Sequence, residues 1–237
     1  RMIPKWLTRI VGVAAVVVIA AAGKGAEQKI LDQIRTMGTN LITVSAGQTR
    51  LVAGRQRQLT VVTSLLPADA AAIARECPSV AAAAPATGAK LATRWAEENA
   101  PTNVLGMTPQ GFTVRDYQLA AGRFFDTDDQ RVSRRLAVLG PTVVHNLFGA
   151  AEPVGQTVRI GHRGVPFEVV GVTRPKGVDP NGLDQDDVII VPLGAMMRRL
   201  MNVTHVQTIF AQAKRSDLLE AAEQEVREVL RRRHRLE

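Results

Sequence analysis

Hydrophobic and polar positions divide the chain into a greasy start, an amphipathic stretch, and a long alternation of short strands and helices. Ile10 to Ala22 is an unbroken run of 13 small and β-branched apolar residues that ends at Gly23-Lys24-Gly25. Beyond Gly25, Ala26, Ile30, Ile34 and Met37 recur at helical spacing with Leu31 beside them, while Glu27, Lys29, Asp32, Gln33 and Arg35 face elsewhere. The spacing predicts an amphipathic helix stopped by Gly38, then a strand over Leu41 to Ala46. From Lys24 to Met37 such a helix extends about 21 Å at 1.5 Å per residue, with Gly23 and Gly25 as the places where it bends.

An apolar run of that length is short of the roughly 20 residues an α-helix needs to cross a bilayer. Three readings compete. A signal peptide accounts for basic Arg1, Lys5 and Arg9 and for small Ala20-Ala21-Ala22. A buried core helix accounts for the length. The third reading is the outer half of a transmembrane helix whose inner half is truncated or replaced, with Met2, Ile3, Trp6 and Leu7 supplying some of the missing length. The amphipathic pattern follows at once, without a polar linker, and this favours the third: one continuous rod passing from membrane into folded domain.

Further along, Gln48 to Gln58 is polar and Arg-rich around Gly54, predicting a mobile loop. Pro67-Ala68-Asp69 opens a helix through Glu76, with proline in the first turn where its missing N–H is harmless. Val80 to Trp95 predicts an extended segment kinked near Gly88, and Val104 to Met107 a second strand. Pro109 to Arg115 reads as a helical turn. In Gly122-Arg123-Phe124-Phe125-Asp126 a glycine turn precedes two aromatics that plug a small core. Leu136 to Leu139 reads as a buried strand and Pro141 to Phe148 as a helix. Gln156 to Ile160 and Phe167 to Val172, around Gly161 to Gly164, form a hairpin pattern. Asp179 to Asp187 predicts a loop, Val188 to Val191 a strand, Leu193 to Met201 a short helix and Val206 to Ala213 a strand. Ser216 caps a long helix to about Arg233. That helix carries Leu218, Leu219, Ala222, Val226, Val229 and Leu230 on one face, with Glu223/Arg227 and Glu228/Arg232 four apart on another.

The element order predicts an α+β fold of two lobes: a split βαβ lobe built from both chain ends and an inserted β-rich lobe. The boundaries expected are 1–23 for the membrane helix remnant, 24–98 with 205–237 for the first lobe, and 99–204 for the insertion.

Composition narrows the function. The 237 residues are 46% apolar and 22% charged, ordinary for a folded domain. The net charge of +8 gathers at the ends, at Arg1, Lys5, Arg9 and Lys24 and again at Arg231, Arg232, Arg233 and Arg235. No basic stripe is visible between Leu51 and Phe210, and aromatics make up only 4%. Nucleic-acid binding, which wants a basic face with stacking aromatics, is therefore not expected. The single cysteine, Cys77 beside Pro78, excludes an intramolecular disulfide and reads as a buried thiol.

Candidate chemistry is sparse. Gly23-Lys24-Gly25 lacks the P-loop's upstream glycine and following hydroxyl, and Gln28 occupies the place of a dinucleotide fingerprint's third glycine. His145, His162, His205 and His234 lie far apart and read as surface or capping side chains. Neither Asp126/Asp128/Asp129 nor Asp179/Asp184/Asp186/Asp187 matches an EF-hand loop, so helix capping and loop solvation explain both runs. No G-x-S-x-G elbow occurs. The expectation is a non-catalytic domain without cofactor or metal.

Four blocks taken together carry a resemblance: A-A-G-K-G-A-E-Q-K-I-L-D-Q-I-R-T-M-G-T-N-L-I-T-V-S-A-G (Ala21 to Gly47), A-G-R-F-F-D-T-D-D (Ala121 to Asp129), V-L-G-P-T-V-V-H-N-L-F-G (Val138 to Gly149) and D-D-V-I-I-V-P-L (Asp186 to Leu193). In this order they resemble the extracytoplasmic, or periplasmic, core domain of MacB-type ABC transporter permeases, with FtsX-like relatives, over about Val11 to Leu236. The resemblance implies a membrane-proximal lobe like the porter modules of multidrug pumps and a distal lobe. It also implies an address on the extracytoplasmic face of the bacterial inner or plasma membrane, in an excised piece of a larger protein. The implied partners are a second copy of the permease, a cytoplasmic ATPase, and a periplasmic adaptor with an outer-membrane channel. The implied function is to transmit motion from the ATPase and to dock partner proteins or substrate. A lipoprotein- or peptide-binding module of a lipoprotein-releasing or FtsX-like regulatory system is the alternative. Gly23, Gly25, Ile30, Ile34 and Met37 are the expected coupling-helix residues, and Asp179, Asn181 and Asp184 the expected partner contacts.

Overall fold

The computed structural model describes residues 40–46, 49–52, 55–58, 65–179 and 182–234. The apolar run and the coupling helix, with Gly23, Gly25, Ile30, Ile34 and Met37, lie outside the described residues, as does Asn181.

One strand organises everything else. β4 (Val80–Trp95) is 16 residues long and changes partners along its length. Its first half pairs antiparallel with β11 (Thr208–Ala213), from Ala213↔Val80 to Thr208↔Ala86, and β11 in turn pairs with β1 (Leu41–Ser45). From Ala86 to Trp95 it pairs with β5 (Glu98–Met107). The partner exchange therefore falls between Ala86 and Gly88. There the Gly88 N–H donates to the Gln207 side chain at 3.1 Å, and a Cβ on Gly88 would lie 2.9 Å from the Val104 carbonyl oxygen.

Beyond this exchange the sheet closes on itself. β5 pairs parallel with β10 (Val188–Pro192), β10 antiparallel with β7 (Leu136–Leu139), and β7 parallel with β9 (Val165–Thr173). β9 then pairs antiparallel with β8 (Thr157–Ile160), and β8 returns to β4 through Thr93↔Ile160 and Arg94↔Arg159. Six strands thus form a ring, which removes the open edges that an unclosed sheet would present. β6 (Leu119–Gly122) hangs from β9 outside it.

Each strand's alternation sorts its side chains to the two faces of this wall. Val104, Ala137, Leu139, Val158, Ile160, Phe167, Val169, Ile189 and Val191 gather into one buried cluster with α4 (Pro141–Phe148), which contributes Val143, Leu147 and Phe148. The opposite phase supplies Leu136, Val138, Val170, Val188 and Ile190 to a second cluster. This one is sealed by α2 (Gln110–Val114) and by the aromatics Phe112, Tyr117 and Phe125. Phe124 stacks on Phe112 at 4.0 Å between ring centroids, so the paired aromatics after Gly122 fill a core as expected. A third cluster lies beside β11, where Ile73 of α1 (Pro67–Glu76) meets Ala222, Val226 and Val229 of α6 (Leu219–His234). Burying Ile73 alone contributes roughly 2 to 3 kcal/mol.

The α+β class, the helices over 67–76, 141–148 and 219–234 and the β8–β9 hairpin agree with the sequence expectation. Several elements differ. The segment expected as a mobile loop at 48–58 is an antiparallel pair, β2 (Thr49–Val52) with β3 (Arg55–Gln58), separated by two residues including Gly54, a spacing suited to a tight hairpin. The strand expected at 104–107 begins six residues earlier at Glu98, because its register with β4 continues to a two-residue turn where Ala96 takes φ +48°. Pro101 is tolerated there since β5 pairs with β10 only from Asn103 onward, leaving its earlier edge without a ladder to break. β4 and β5 consequently pair across the boundary expected between 98 and 99. A short helix, α3 (Thr127–Arg131), was not anticipated. The helix expected at 193–201 is α-helical only over α5 (Leu193–Ala195) and continues as a π-helical stretch, Met196–Met201.

Gly106 shows how tightly the ring packs against that π-helical stretch, for a Cβ added there would lie 2.2 Å from Met196 Cβ. The obstructing atom sits at the root of its side chain and cannot rotate away. Gly106→Ala should destabilise the domain by about 1 to 3 kcal/mol, read as a lowered midpoint in urea unfolding.

Candidate functional site

The described chain begins at a joint with the end of β11. The Asn40 side-chain amide donates to the Ala213 carbonyl at 2.7 Å, and the Ala213 N–H donates to the Asn40 carbonyl at 2.8 Å, directly ahead of the β1–β11 ladder. α6 leaves the far end of β11 through a 3-10 turn, Ser216–Leu218, and runs back against β1 and α1. Polar contacts fasten it at two levels. Glu225 accepts from the Ser79 N–H at 2.9 Å and from the Ser79 hydroxyl at 2.8 Å, at the mouth of β4. At the helix end, Asp69 accepts from Arg233 Nε at 2.8 Å, lies 2.9 Å from His234 Nε2, and also accepts from the Leu66 N–H at 2.8 Å. Asp69 is only 1% exposed. Burial by itself would raise its carboxyl, but Arg233, the Leu66 N–H and His234 together outweigh burial and leave it below the usual value.

Two sequence expectations change at this joint. His234 was expected at the surface or as a cap, yet its side chain is 17% exposed and sits against a buried carboxylate, because the helix end turns onto α1. Arg232 was expected to pair with Glu228 but its guanidinium binds Glu76 of α1. The tertiary partner wins. Glu223 and Arg227 do pair at 2.8 Å as the four-residue spacing predicts.

The loop between β9 and β10 holds Asp179 and Asp184. Asp179 Oδ1 accepts from the Leu183 N–H at 2.9 Å, and Val178 bridges Asp184 across the loop. Asp184 accepts from the Thr142 hydroxyl at 2.7 Å and from the Asp186 N–H at 2.8 Å, tying the loop to the first turn of α4. Asp186, largely buried, accepts from the N–H groups of Lys176 and Gly177 at 2.8 and 2.9 Å. These carboxylates organise the loop's backbone, and Val178 and Leu183 stand exposed at 57% and 66%.

A third polar centre stands near the start of β7. Asp129, 2% exposed, accepts from Arg123 at 2.8 Å and from Arg134 at 3.1 Å, and it completes a capping box in which the Asp129 N–H donates to Asp126 at 2.8 Å. Burial pushes the Asp129 carboxyl up, but the Arg123 hydrogen bond, the Asp126 backbone and the charges of both arginines outweigh it and hold it below the ordinary range. The acidic run at 126–129 is therefore a helix cap, as its spacing predicts; the two arginines that neutralise it are separated in sequence and gave no signal.

Among the described residues no group of three or more His, Cys, Asp or Glu is placed to hold a metal, and His145 and His162 are exposed and apart. Cys77 is 3% exposed, and burial together with Glu225 and Glu76 pushes its thiol up to about 11. No helix among the described residues is long and apolar enough to cross a membrane.

This fold and these blocks have relatives. Residues 7–229 match the model of the MacB-like periplasmic core domain. The chain belongs to this family. The macrolide export ATP-binding/permease protein MacB of Azoarcus sp. (strain BH72) is 34% identical over 228 residues, which is 96% of this chain and 34% of that protein. MacB of Rhodospirillum rubrum is also 34% identical, over 95% of this chain and 34% of its own length. The chain thus spans about a third of the curated relatives it matches. The periplasmic region of MacB from Actinobacillus actinomycetemcomitans shares the fold with a TM-score of 0.71 at 23% identity, covering 87% of this chain and 89% of that one. The extracellular domain of the noncanonic ABC-type transporter YknZ from Gram-positive bacteria shares it with a TM-score of 0.65 at 18% identity, covering 82% and 95%. The MacB-like core domain is accordingly a mixed, sheet-rich periplasmic module of ABC transporter permeases.

Two measurements test this geometry. Because the folded Asp129 carboxyl lies below its ordinary value of 3.8, its stabilisation is fully present above that value and fades as pH falls through the depressed one. Asp129→Asn should cost about 2 kcal/mol at pH 7, and the gap from the parent protein should close in acid, below about pH 3.8. Cys77 in the folded protein should resist iodoacetamide at pH 8 and react within minutes once urea unfolds the domain.

Proposed function

We propose that this chain is the non-catalytic extracytoplasmic domain of an ABC-type export permease, held at the membrane by the segment before Asn40. It transmits motion from a cytoplasmic ATPase and docks partner proteins or substrate. In the parent protein it works beside a second copy, and a periplasmic adaptor with an outer-membrane channel is the partner expected at its distal side. The body is two-lobed: a lobe of β1, β11, the first half of β4, α1 and α6, and a distal lobe built on the strand ring, with the β4–β5 hairpin shared between them.

The observation that carries this reading is the joint. Chain entering at Asn40 is fastened to β11 through two hydrogen bonds to Ala213, and chain leaving along α6 is fastened to the start of β4 through Glu225 on Ser79 and to α1 through Arg233 on Asp69. Displacement delivered at Asn40 is passed to β11 and β4 through paired strands, which resist shear cooperatively, and β4 delivers it to the ring. Family membership supports the setting, since the relatives are named as export ATP-binding/permease proteins. The helical spacing of Ile30, Ile34 and Met37, with bending points at Gly23 and Gly25, supplies the lever ahead of the joint. Asp179, Asn181 and Asp184 present the distal loop through which partner contact is made.

In the parent transporter, Ile30→Pro should abolish export while ATP hydrolysis continues, because a proline inside a helix costs about 3 kcal/mol and breaks it. Export that stays coupled to hydrolysis in that variant would refute transmission through this segment.

A further inference from the structure

The outer wall of the strand ring is bare of helices between β4 and β7, and it is basic. Alternation places Arg94 on β4 and Arg159 on β8 on the same outward phase, directly opposite each other across the ladder that closes the ring. Arg159 also stands opposite Pro166 of β9, and Thr157 opposite Glu168, so the wall continues without interruption toward β7. There Arg135 and Arg134 precede the strand, and Arg123 approaches from the end of β6. Two open grooves cross this wall. One, of about 340 Å³, lies among Arg94, Arg159 and Arg163; the other, of about 520 Å³, lies among Arg123, Arg134 and Arg135.

Little on the wall neutralises these cations. Asp129 is already shared between Arg123 and Arg134, and Glu168 is the one carboxylate lining either groove. Among the described residues Arg94, Arg135 and Arg163 have no ion-pair partner, and Arg159 bonds only the Gly164 carbonyl, at 3.4 Å. Like charges facing each other across a strand pair are unfavourable. Such an arrangement gains when an anion is supplied from outside.

We infer that this outer wall, from Arg94 and Arg159 to Arg135, is the docking face for an acidic segment of a partner protein, which lays carboxylates into both grooves. The inference rests on the partner-docking part of the proposed function and adds a second surface to the distal loop. Planar guanidinium groups match carboxylates in paired hydrogen bonds. The two grooves spread across five strands, an extent suited to a protein surface, whereas small ligands are enclosed in a single concavity. A lipid surface fits less well: none of the exposed large apolar residues, Leu66, Val132, Val178 and Leu183, lines either groove, and an interfacial face needs such residues to enter the acyl boundary.

The test uses the whole chain and a fluorescein-labelled ten-residue glutamate peptide, followed by fluorescence anisotropy at low salt. Two triple variants remove the same charge: R94Q/R135Q/R159Q on the wall, and R198Q/R199Q/K214Q at exposed positions elsewhere. Expected is a loss of about tenfold in affinity for the first and under about twofold for the second, with binding by the parent chain weakening as salt is raised. Equal weakening by both variants, or no salt-sensitive binding by the parent chain, overturns the inference. So does a wall variant that keeps peptide binding but loses binding to vesicles of phosphatidylglycerol, which would make this a lipid face. Any of these failures leaves transmission through the joint untouched, since that is read from the coupling of export to hydrolysis.

Discussion

The structure depends on one strand being shared by two different neighbourhoods. β4 is long enough to be the outer strand of an open layer in which β11 lies between it and β1, and then to become a stave of a closed ring with β5 and β8. Its alanine-rich first half, with Ala84 and Ala86 fully buried, lets neighbouring layers approach closely, whereas Leu91 and Trp95 in the second half help fill the ring. Its two halves belong to one compact unit, tied by backbone hydrogen bonds to β11 along the first stretch and to β5 and β8 along the second.

The same economy appears at the chain ends. α6 is amphipathic and would pack on the sheet by its apolar stripe alone, yet hydrophobic contact is non-directional and would permit sliding. Glu225 on Ser79, and Asp69 on Arg233 and His234, supply the direction. Burial decides that α6 packs on the sheet, and these polar contacts decide where.

Much of this was legible in the sequence, and the reasons are local. Helix α1 shows its proline start, the β8–β9 pair shows alternation around two glycines, and α6 shows its stripe and its Glu223/Arg227 spacing. The four sequence blocks led to the family. What stayed hidden is non-local. Arg232 chose Glu76 over Glu228, and β5 extended back through polar Glu98 to Asn103 because β4 was there to pair with it. The sequence shows no basic stripe between Leu51 and Phe210, but the ring assembles one from Arg94, Arg123, Arg134, Arg135, Arg159 and Arg163. Each lies in a polar phase that looks ordinary in its own segment. Periodicity reports which side of a strand is wet, and closure decides which wet sides become neighbours.

Ring closure itself has an uneven strength. β4 meets β5 over ten residue pairs but meets β8 over two, and one of these puts Arg94 opposite Arg159. This is the seam of the barrel, and it is held shut against its own charge. Any anion seated between Arg94 and Arg159 stabilises the sealed form, and by reciprocal linkage the sealed form holds that anion more tightly. Occupancy of the outer surface and the stiffness of the barrel are thereby one thermodynamic quantity, so a visitor on the wall changes how the body responds to a pull.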